Sequence, residues 1–200
     1  SGGEKLSALL LDTRFATYWQ KLLTLDLAGR VSLRRAGPEG SYPEAPEGGF
    51  TLPHPERTLL ALVPAAAGLE LVVVDPDGAR RHTLSGPDWE RESPLAAGAR
   101  NLLRVGRPTF APLVQDVNGD GRFDLVVPDA RGADLWLAAG TEQGGEELRR
   151  AARVPLRVSH SASAGAELLS DALSEELVVP RLDTEDVNGD GRDDLVVREG

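Results

Sequence analysis

Short apolar runs separated by turn-forming residues make up most of the chain beyond residue 57. Runs such as "TLLALV", "FDLVV" and "ADLWLAAG" are rich in β-branched residues and leucine and are too short for typical helices. In "LELVVVDPDGARRHTL" two apolar runs flank Asp77-Gly78, a pair that is typical of a β-hairpin. The segment "RVPLRVSH" continues the same rhythm. This pattern predicts an all-β fold.

Two segments depart from this pattern of short strand-forming runs. In residues 4–27, "EKLSALLLDTRFATYWQKLLTLDL", the spacing of the apolar residues fits one face of a helix. The end of that stretch, "LLTLDLAGRVSLRR", favours a hairpin that turns at Ala28-Gly29. Residues 165–176, "GAELLSDALSEE", predict a short amphipathic helix between strands.

A stretch dense in proline and glycine divides the chain. Residues 36–56, "AGPEGSYPEAPEGGFTLPHPE", have no hydrophobic periodicity, which is typical of a loop or linker. We therefore expect an N-terminal segment, residues 1–50, made of a helix or hairpin and this linker. Residues 51–200 are expected to form the repeated β-structure.

Two acidic loops of nearly identical sequence lie 70 residues apart. "DVNGDGRFDLVV" begins at Asp116 and "DVNGDGRDDLVV" begins at Asp186. In both copies an upstream apolar element ends in a proline, Pro112 or Pro180. Repetition of both the loop and its surroundings predicts a repeated supersecondary unit.

The acidic residues have the spacing of ligands in a calcium-binding loop. Calcium takes about 6–8 oxygen ligands, and short side chains at alternate positions of a curled chain supply them. Gly121 and Gly191 stand at the sixth position, where the chain must turn sharply. An ordinary hairpin turn is the alternative, and it is the preferred interpretation of the isolated "DPDG" at residues 75–78. The predicted ligands of two Ca²⁺ ions are Asp116, Asn118, Asp120, the backbone carbonyl of Arg122 and Asp124 in the first loop, and Asp186, Asn188, Asp190, the backbone carbonyl of Arg192 and Asp194 in the second.

The residues after each loop indicate the type of calcium site. An EF-hand needs a glutamate at position 12 and a flanking helix, but position 12 is Val127 or Val197 and the sequence runs into a strand-forming "DLVV". The pattern D-x-N-x-D-G-x-x-D-L-V-V resembles the FG-GAP/VCBS repeats of integrin-like β-propellers. The resemblance is strong over residues 112–140 and 180–198, weak over 52–90 and absent over 1–50.

The resemblance implies an extracellular, calcium-stabilised propeller, usually with about seven four-stranded blades, in which each loop joins two strands of one blade. At roughly 50–70 residues per blade, 200 residues hold about three or four blades. We therefore expect propeller blades that form part of a propeller. Either a protein partner or the remainder of a longer chain would complete the ring.

Charge and composition narrow the range of partners. The chain has 22 basic and 32 acidic residues, a net charge of −10, which disfavours nucleic acid and anionic membranes as partners and favours cations. No apolar run approaches the roughly 18 residues of a membrane span, and no signal peptide is visible. With no cysteine, the chain has neither disulfides nor thiolate metal ligands.

Residues suited to catalysis are sparse. His54, His82 and His160 lie outside any recognisable catalytic motif, so we expect no enzymatic activity. Trp136 is interpreted as a core residue, with a carbohydrate-stacking platform as the alternative. The expected function is an extracellular, cell-surface or periplasmic calcium-binding module for protein or carbohydrate binding, adhesion or assembly. An accessory propeller domain of a secreted hydrolase or polysaccharide lyase is the alternative.

Overall fold

The computed structural model describes thirteen ranges of the chain: residues 7–11, 21–26, 28–35, 41–42, 45–46, 48–65, 68–84, 92–140, 146–155, 159–164, 173–178, 181–191 and 194–198. Within them the regular elements are all β-strands, apart from a 3-10 helix at Pro55–Arg57. The prediction of an all-β fold is therefore confirmed. These ranges contain no helix with the length and hydrophobicity of a membrane span.

The N-terminal sheet has four antiparallel strands in chain order. They are β1 (Ser7–Leu11), β2 (Lys21–Leu25), β3 (Arg30–Arg35) and β4 (Gly48–Thr51). The helical expectation is wrong for β1 and β2, because their leucines pair in extended register, with Leu9 opposite Leu23. The predicted hairpin between β2 and β3 is confirmed. Its turn needs Gly29, which has a φ of +81° and lies so close to Pro55 that an added Cβ would meet that ring at 2.8 Å.

The second sheet has five strands in the order β8-β7-β6-β5-β9. They are β5 (Leu59–Ala65), β6 (Gly68–Asp75), β7 (Gly78–Thr83), β8 (Glu92–Ala96) and β9 (Thr109–Phe110). The predicted hairpin at Asp77-Gly78 is confirmed, with β6 and β7 antiparallel. The short strand β9 pairs with β5 in parallel. The connection before β9 is held by Asn101, whose side-chain amide donates to the Arg57 carbonyl at 2.7 Å.

The third sheet contains the first acidic loop. Its four antiparallel strands are β10 (Val114–Gln115), β11 (Asp124–Asp129), β12 (Gly132–Gly140) and β13 (Glu146–Val154). Two hairpins follow, β14 (Ser159–Ala164) with β15 (Leu173–Val178), and β16 (Arg181–Glu185) with β17 (Asp194–Arg198). The helix predicted for residues 165–176 is wrong from Leu173 onward, because that part pairs with β14. Residues 165–172 lie outside the described residues.

The first three sheets pack face to face. Strand β5 alternates between two cores: Leu59 packs in a cluster with Leu125 and Val127 of the third sheet, and Leu60 packs in a cluster with Leu23 of the N-terminal sheet. The second sheet is therefore covered on both faces by its neighbours. On its other face the third sheet carries a smaller apolar cluster of Val117, Val126, Ala133 and Leu135. Within the described residues no sheet closes on itself.

Candidate metal-binding loops

Each acidic loop connects two antiparallel strands. The first joins β10 to β11, with Gln115 opposite Asp124. The second joins β16 to β17, with Glu185 opposite Asp194. These two strand pairs have the same register 70 residues apart, so the loops occupy equivalent positions in equivalent hairpins. In both copies the loop leads directly into a strand, as the sequence predicted.

In the first loop, short side chains turn back onto the loop's own backbone. The Asp116 carboxylate accepts hydrogen bonds from the N–H of Asp120 at 3.1 Å and from the N–H of Gly121 at 2.8 Å. The Asn118 side-chain oxygen also accepts from the Asp120 N–H, at 3.0 Å, and the Asp120 carboxylate accepts from the Arg122 N–H at 2.8 Å. These bonds gather the oxygens of the first three predicted ligands around one tight turn.

The second loop repeats this arrangement. The Asp186 carboxylate accepts from the N–H of Asp190 at 3.1 Å and from the N–H of Gly191 at 2.9 Å, and Asn188 accepts from the Asp190 N–H at 2.9 Å. Gly121 and Gly191 adopt nearly the same left-handed φ, +80° and +81°, and nothing lies within 4 Å of the Cβ that each lacks. Backbone conformation, not crowding, therefore requires glycine at the sixth position.

The last predicted side-chain ligand of the first loop has a more interior position. Asp124 is fully buried, and its two oxygens accept from the N–H of Val117 at 2.9 Å and the N–H of Ala138 at 2.8 Å. Burial raises the pKa of this carboxyl; the Ala138 and Val117 N–H groups partly offset that rise, and the nearby charges of Asp120 and Asp116 add to it. A cation beside these carboxylates would favour their ionised forms.

The residues present fit a calcium ion in their donor chemistry. Each loop offers carboxylate and amide oxygens within nine consecutive residues, and hard divalent cations prefer such oxygens. Each carboxylate oxygen that accepts one hydrogen bond retains a further lone pair for a metal. Among the described residues no group of three or more histidine, aspartate or glutamate side chains converges as a metal-binding cluster. Arg192, whose carbonyl was predicted as a ligand, lies outside the described residues.

The Arg122 side chain and two histidines singled out from the sequence make contacts other than those of the predicted ligands. The Arg122 guanidinium lies over Gly140, 3.2 Å from where a Cβ would stand. His54 contacts Asp77 at 3.2 Å, and buried His82 stacks on Phe50 with ring centroids 4.0 Å apart. Nothing is described of the side chain of His160.

Trp136 is partly buried and packs against the core between the second and third sheets, in line with the interpretation of it as a core residue. Its ring lies over Gly98, where an added Cβ would meet it at 2.8 Å. The close approach leaves no room for a side chain at position 98.

One contact of the candidate site could not be predicted from the sequence. The Ala138 N–H belongs to β12, and it ties the Asp124 carboxylate to a strand that follows the loop by a full hairpin. A backbone donor leaves no signature in residue identity. This contact links the end of the first loop to the pairing of β11 with β12.

Asp129, the last residue of β11, is expected to make the stability of the fold depend on pH. Burial alone raises its pKa, but the Arg131 N–H at 2.7 Å and the Arg153 guanidinium more than offset this and hold the pKa below its ordinary value. A lowered pKa contributes stability above the unfolded-state value of about 4, and that stability is lost as pH falls through the folded-state value. Asp129→Asn should therefore be less stable than wild type at neutral pH in urea unfolding. The gap should close as the pH falls through the lowered folded-state pKa, and a gap that stays constant with pH would contradict this assignment.

Comparison with known proteins identifies no relative of this chain. No family model, no curated protein and no solved structure matches the chain.

Proposed function

We propose that this chain is a non-catalytic, extracytoplasmic module of β-propeller blades that binds two calcium ions and serves protein or carbohydrate binding, adhesion or assembly. The proposal extends the resemblance of its two acidic loops to FG-GAP/VCBS repeats. Calcium would be held by Asp116, Asn118, Asp120 and Asp124 in one loop and by Asp186, Asn188, Asp190 and Asp194 in the other. The carbonyls of Arg122 and Arg192 would complete the two sets.

The observation that carries the proposal is that the two loops fold alike. In each, the first aspartate accepts from the N–H groups of positions 5 and 6, and the asparagine accepts from the N–H of position 5. In each, the last aspartate accepts from the N–H of position 2, Val117 or Val187. Repeated local geometry around repeated oxygen donors favours one common ligand over two unrelated turns.

The arrangement of the sheets supports the propeller part of the proposal. Two of the sheets are four-stranded and antiparallel with strands in chain order, and successive sheets share apolar cores face to face. Radial repetition of such sheets is the architecture of a propeller. The first acidic loop joins the first two strands of its four-stranded sheet, and the second joins the two strands of a hairpin.

Calcium availability favours a location outside the cytosol. Loops of this kind in extracellular modules bind calcium with dissociation constants of about 10⁻⁴–10⁻³ M. Such sites fill at the millimolar concentrations found outside cells, and they stand nearly empty in a cytosol. The ions would stiffen the turns that set the directions of β11 and β17.

Calcium should raise the melting temperature of the chain. With a dissociation constant of about 10⁻⁴ M, roughly 1 mM calcium stabilises each site by about 1.4 kcal/mol. For a chain of this size that corresponds to about 3–5 °C per site. Differential scanning fluorimetry in calcium, in magnesium and in chelator measures the shift. Magnesium should give less, because it prefers a tighter octahedron with several waters.

Single substitutions test whether the calcium-dependent rise in melting temperature comes from the acidic loops. Asp194→Ala should remove the share of the shift that belongs to the second loop, because it deletes one ligand there. Asp77→Ala is the matched control, since it removes an exposed aspartate from an ordinary turn of the second sheet. Equal losses from both variants, or a wild-type protein that gives no calcium-dependent shift and no binding heat in calorimetry, would show the proposal to be wrong.

A further inference from the structure

A cleft opens between the second and third sheets, beside the first acidic loop. Its volume of about 390 Å³ lies within the range of about 300–1,000 Å³ that is typical of small-molecule sites. Val63 and Val72 of the second sheet and Leu125 of the third line the cleft, and all three belong to the apolar core that these two sheets share. Among the described residues, the cleft is therefore the open end of this core.

Two charged residues interrupt the apolar face of the second sheet at this opening. In β6, Val72 and Val74 face the shared core, so Glu70, two residues before Val72, faces the same side. In β7, Arg81 stands opposite Val72 and therefore on that side as well. Both charged residues line the cleft. A charge on an inward face is costly unless it has a partner, so the contacts of Arg81 decide what the cleft can bind.

The Arg81 guanidinium keeps donors that no neighbouring protein group uses. Its Nε donates to the Ser93 hydroxyl at 3.2 Å, and a terminal nitrogen lies 3.8 Å from a carboxylate oxygen of Glu70. Since 3.8 Å is longer than a hydrogen bond, neither terminal nitrogen is hydrogen-bonded within the described ranges. The side chain is 40% exposed, so a ligand can reach these nitrogens.

Arg122 lines the same cleft from the acidic loop. Its guanidinium lies over Gly140, with a terminal nitrogen 3.2 Å from where a Cβ would stand, so a side chain at position 140 would crowd it. In the part of the chain that the structure describes, the Arg122 guanidinium has no hydrogen bond and no ion pair. Arg122 therefore adds a second cation whose donors are available.

The carboxylates that line the cleft already have protein partners. Glu70 has Arg81 as its ion-pair partner, and both oxygens of Asp124 accept from backbone N–H groups. Calcium in the first loop would offset the charges of that loop's other two aspartates. The available groups are thus the donors of Arg81 and Arg122, which match a carboxylate. An anion with a single charge is favoured, because a chain of net charge −10 repels multiply charged ones more strongly.

An exposed aromatic side chain also lines the cleft. Phe123 is 52% exposed and directly precedes β11. It occupies the one position at which the two twelve-residue acidic segments differ, and Asp193 takes its place in the second segment. The second segment would therefore repel an anion where the first offers it an apolar surface.

We propose that this cleft binds a small monocarboxylate with an apolar body. Arg81 and Arg122 hold the carboxylate. The apolar body contacts Val63 and Leu95 of the second sheet and Phe123 beside the loop. The volume of the cleft suits a small compound rather than a polypeptide segment. The site is additional to the proposed calcium function, and it rests on that function only through the loop ion, whose charge strengthens the attraction for an anion.

The test is a titration of the isotope-labelled full chain with phenylbutyrate in millimolar calcium, followed by calorimetry and by the NMR signals of the arginine Nε–H groups. Phenylbutyrate should bind with a dissociation constant below about 1 mM and should shift the Nε–H signals of Arg81 and Arg122. Phenylbutanol and phenylbutylamine have the same apolar body without a carboxylate. Each should bind at least about tenfold more weakly.

Variants of the chain locate the contact. Arg81→Gln and Arg122→Gln should each weaken phenylbutyrate binding by about tenfold, because each removes a charged donor. Arg107→Gln is the matched control, since it alters an exposed arginine that does not line the cleft. Phe123→Asp gives the first loop the residue of the second and should weaken binding by at least about tenfold. Phe123 is not a predicted calcium ligand, so a retained calcium-dependent rise in melting temperature shows that this variant is folded.

Three results would overturn the proposed site: no saturable binding of phenylbutyrate to the wild-type chain, equal binding of phenylbutanol, or losses in the arginine variants of the cleft no larger than that of the Arg107→Gln control. Calcium-dependent melting without any compound tests the metal sites alone. Binding of phenylbutyrate to a chain that shows no calcium-dependent shift would support the cleft and contradict the metal sites. A calcium-dependent shift without phenylbutyrate binding would do the reverse.

Discussion

Leu125→Ala should destabilise the fold by about 2–5 kcal/mol, whereas Leu195→Ala, the same substitution at the equivalent position of the second hairpin, should cost less than about 1 kcal/mol. Leu125 is enclosed between the second and third sheets, so its removal leaves a cavity lined by neighbours that cannot collapse into it. Leu195 is 38% exposed, so its removal leaves no comparable cavity. Urea unfolding of the two variants against wild type measures the difference.

The pair of variants controls for local sequence, because both leucines stand in the same "DLVV" segment after the same acidic loop. Similar losses from Leu125→Ala and Leu195→Ala would mean that the second hairpin is covered in the folded protein. That outcome would contradict the difference in burial between the two copies.

Arg80→Ala should be the most damaging change in the second sheet, with a cost of about 3–5 kcal/mol. The Arg80 guanidinium donates to both oxygens of the fully buried Asp75, at 3.1 and 2.6 Å. Burial lowers the pKa of Arg80, but the hydrogen bond and charge of Asp75 more than offset this and raise the pKa. Without Arg80, the buried Asp75 carboxylate would have no cationic partner. The free-energy cost of leaving that charge buried and unpaired exceeds the loss of the attraction between the two side chains.

Two further variants test this explanation by thermal and urea unfolding. Arg81→Ala is the control, because that side chain is 40% exposed and lies 3.8 Å from Glu70, so its loss should cost less than about 1 kcal/mol. The double variant Arg80→Ala with Asp75→Asn should be more stable than Arg80→Ala alone, since it removes the stranded charge. If the double variant is instead less stable by the sum of the two single effects, the buried-charge explanation fails.

Local features of the fold were predictable from the sequence, and non-local ones were not. The hairpins at Ala28-Gly29 and at Asp77-Gly78 follow from turn chemistry within a few residues. The spacing of the N-terminal leucines fits one face of a helix, but leucine is common in both helices and strands. Their strand pairing depends on residues 21–25 and 30–35. The local sequence is compatible with either a helix or a strand, and pairing with the neighbouring strands determines that a strand forms.

In the candidate site, too, local features were predictable from the sequence and non-local ones were not. The turn around Asp116, Asn118 and Asp120 is predictable, because alternate positions of one short loop bring their side chains to the same backbone N–H groups. The interior position of Asp124 depends on β12 and could not be predicted. The contrast between Leu125 and Leu195 could not be predicted either, since the two share one local sequence and differ only in their surroundings.

The parallel pairing of β9 with β5 fixes the order in which the second sheet can be completed during synthesis. Strands β5 to β8 form successive hairpins and can pair as soon as each leaves the ribosome. The outer edge of β5 has to wait for residues 109–110, which arrive only after the connection fastened by Asn101 has been made. A nascent chain halted between residues 96 and 109 therefore presents four paired strands in which the edge of β5 is open as well as that of β8, and an unpaired strand edge favours wrong pairing.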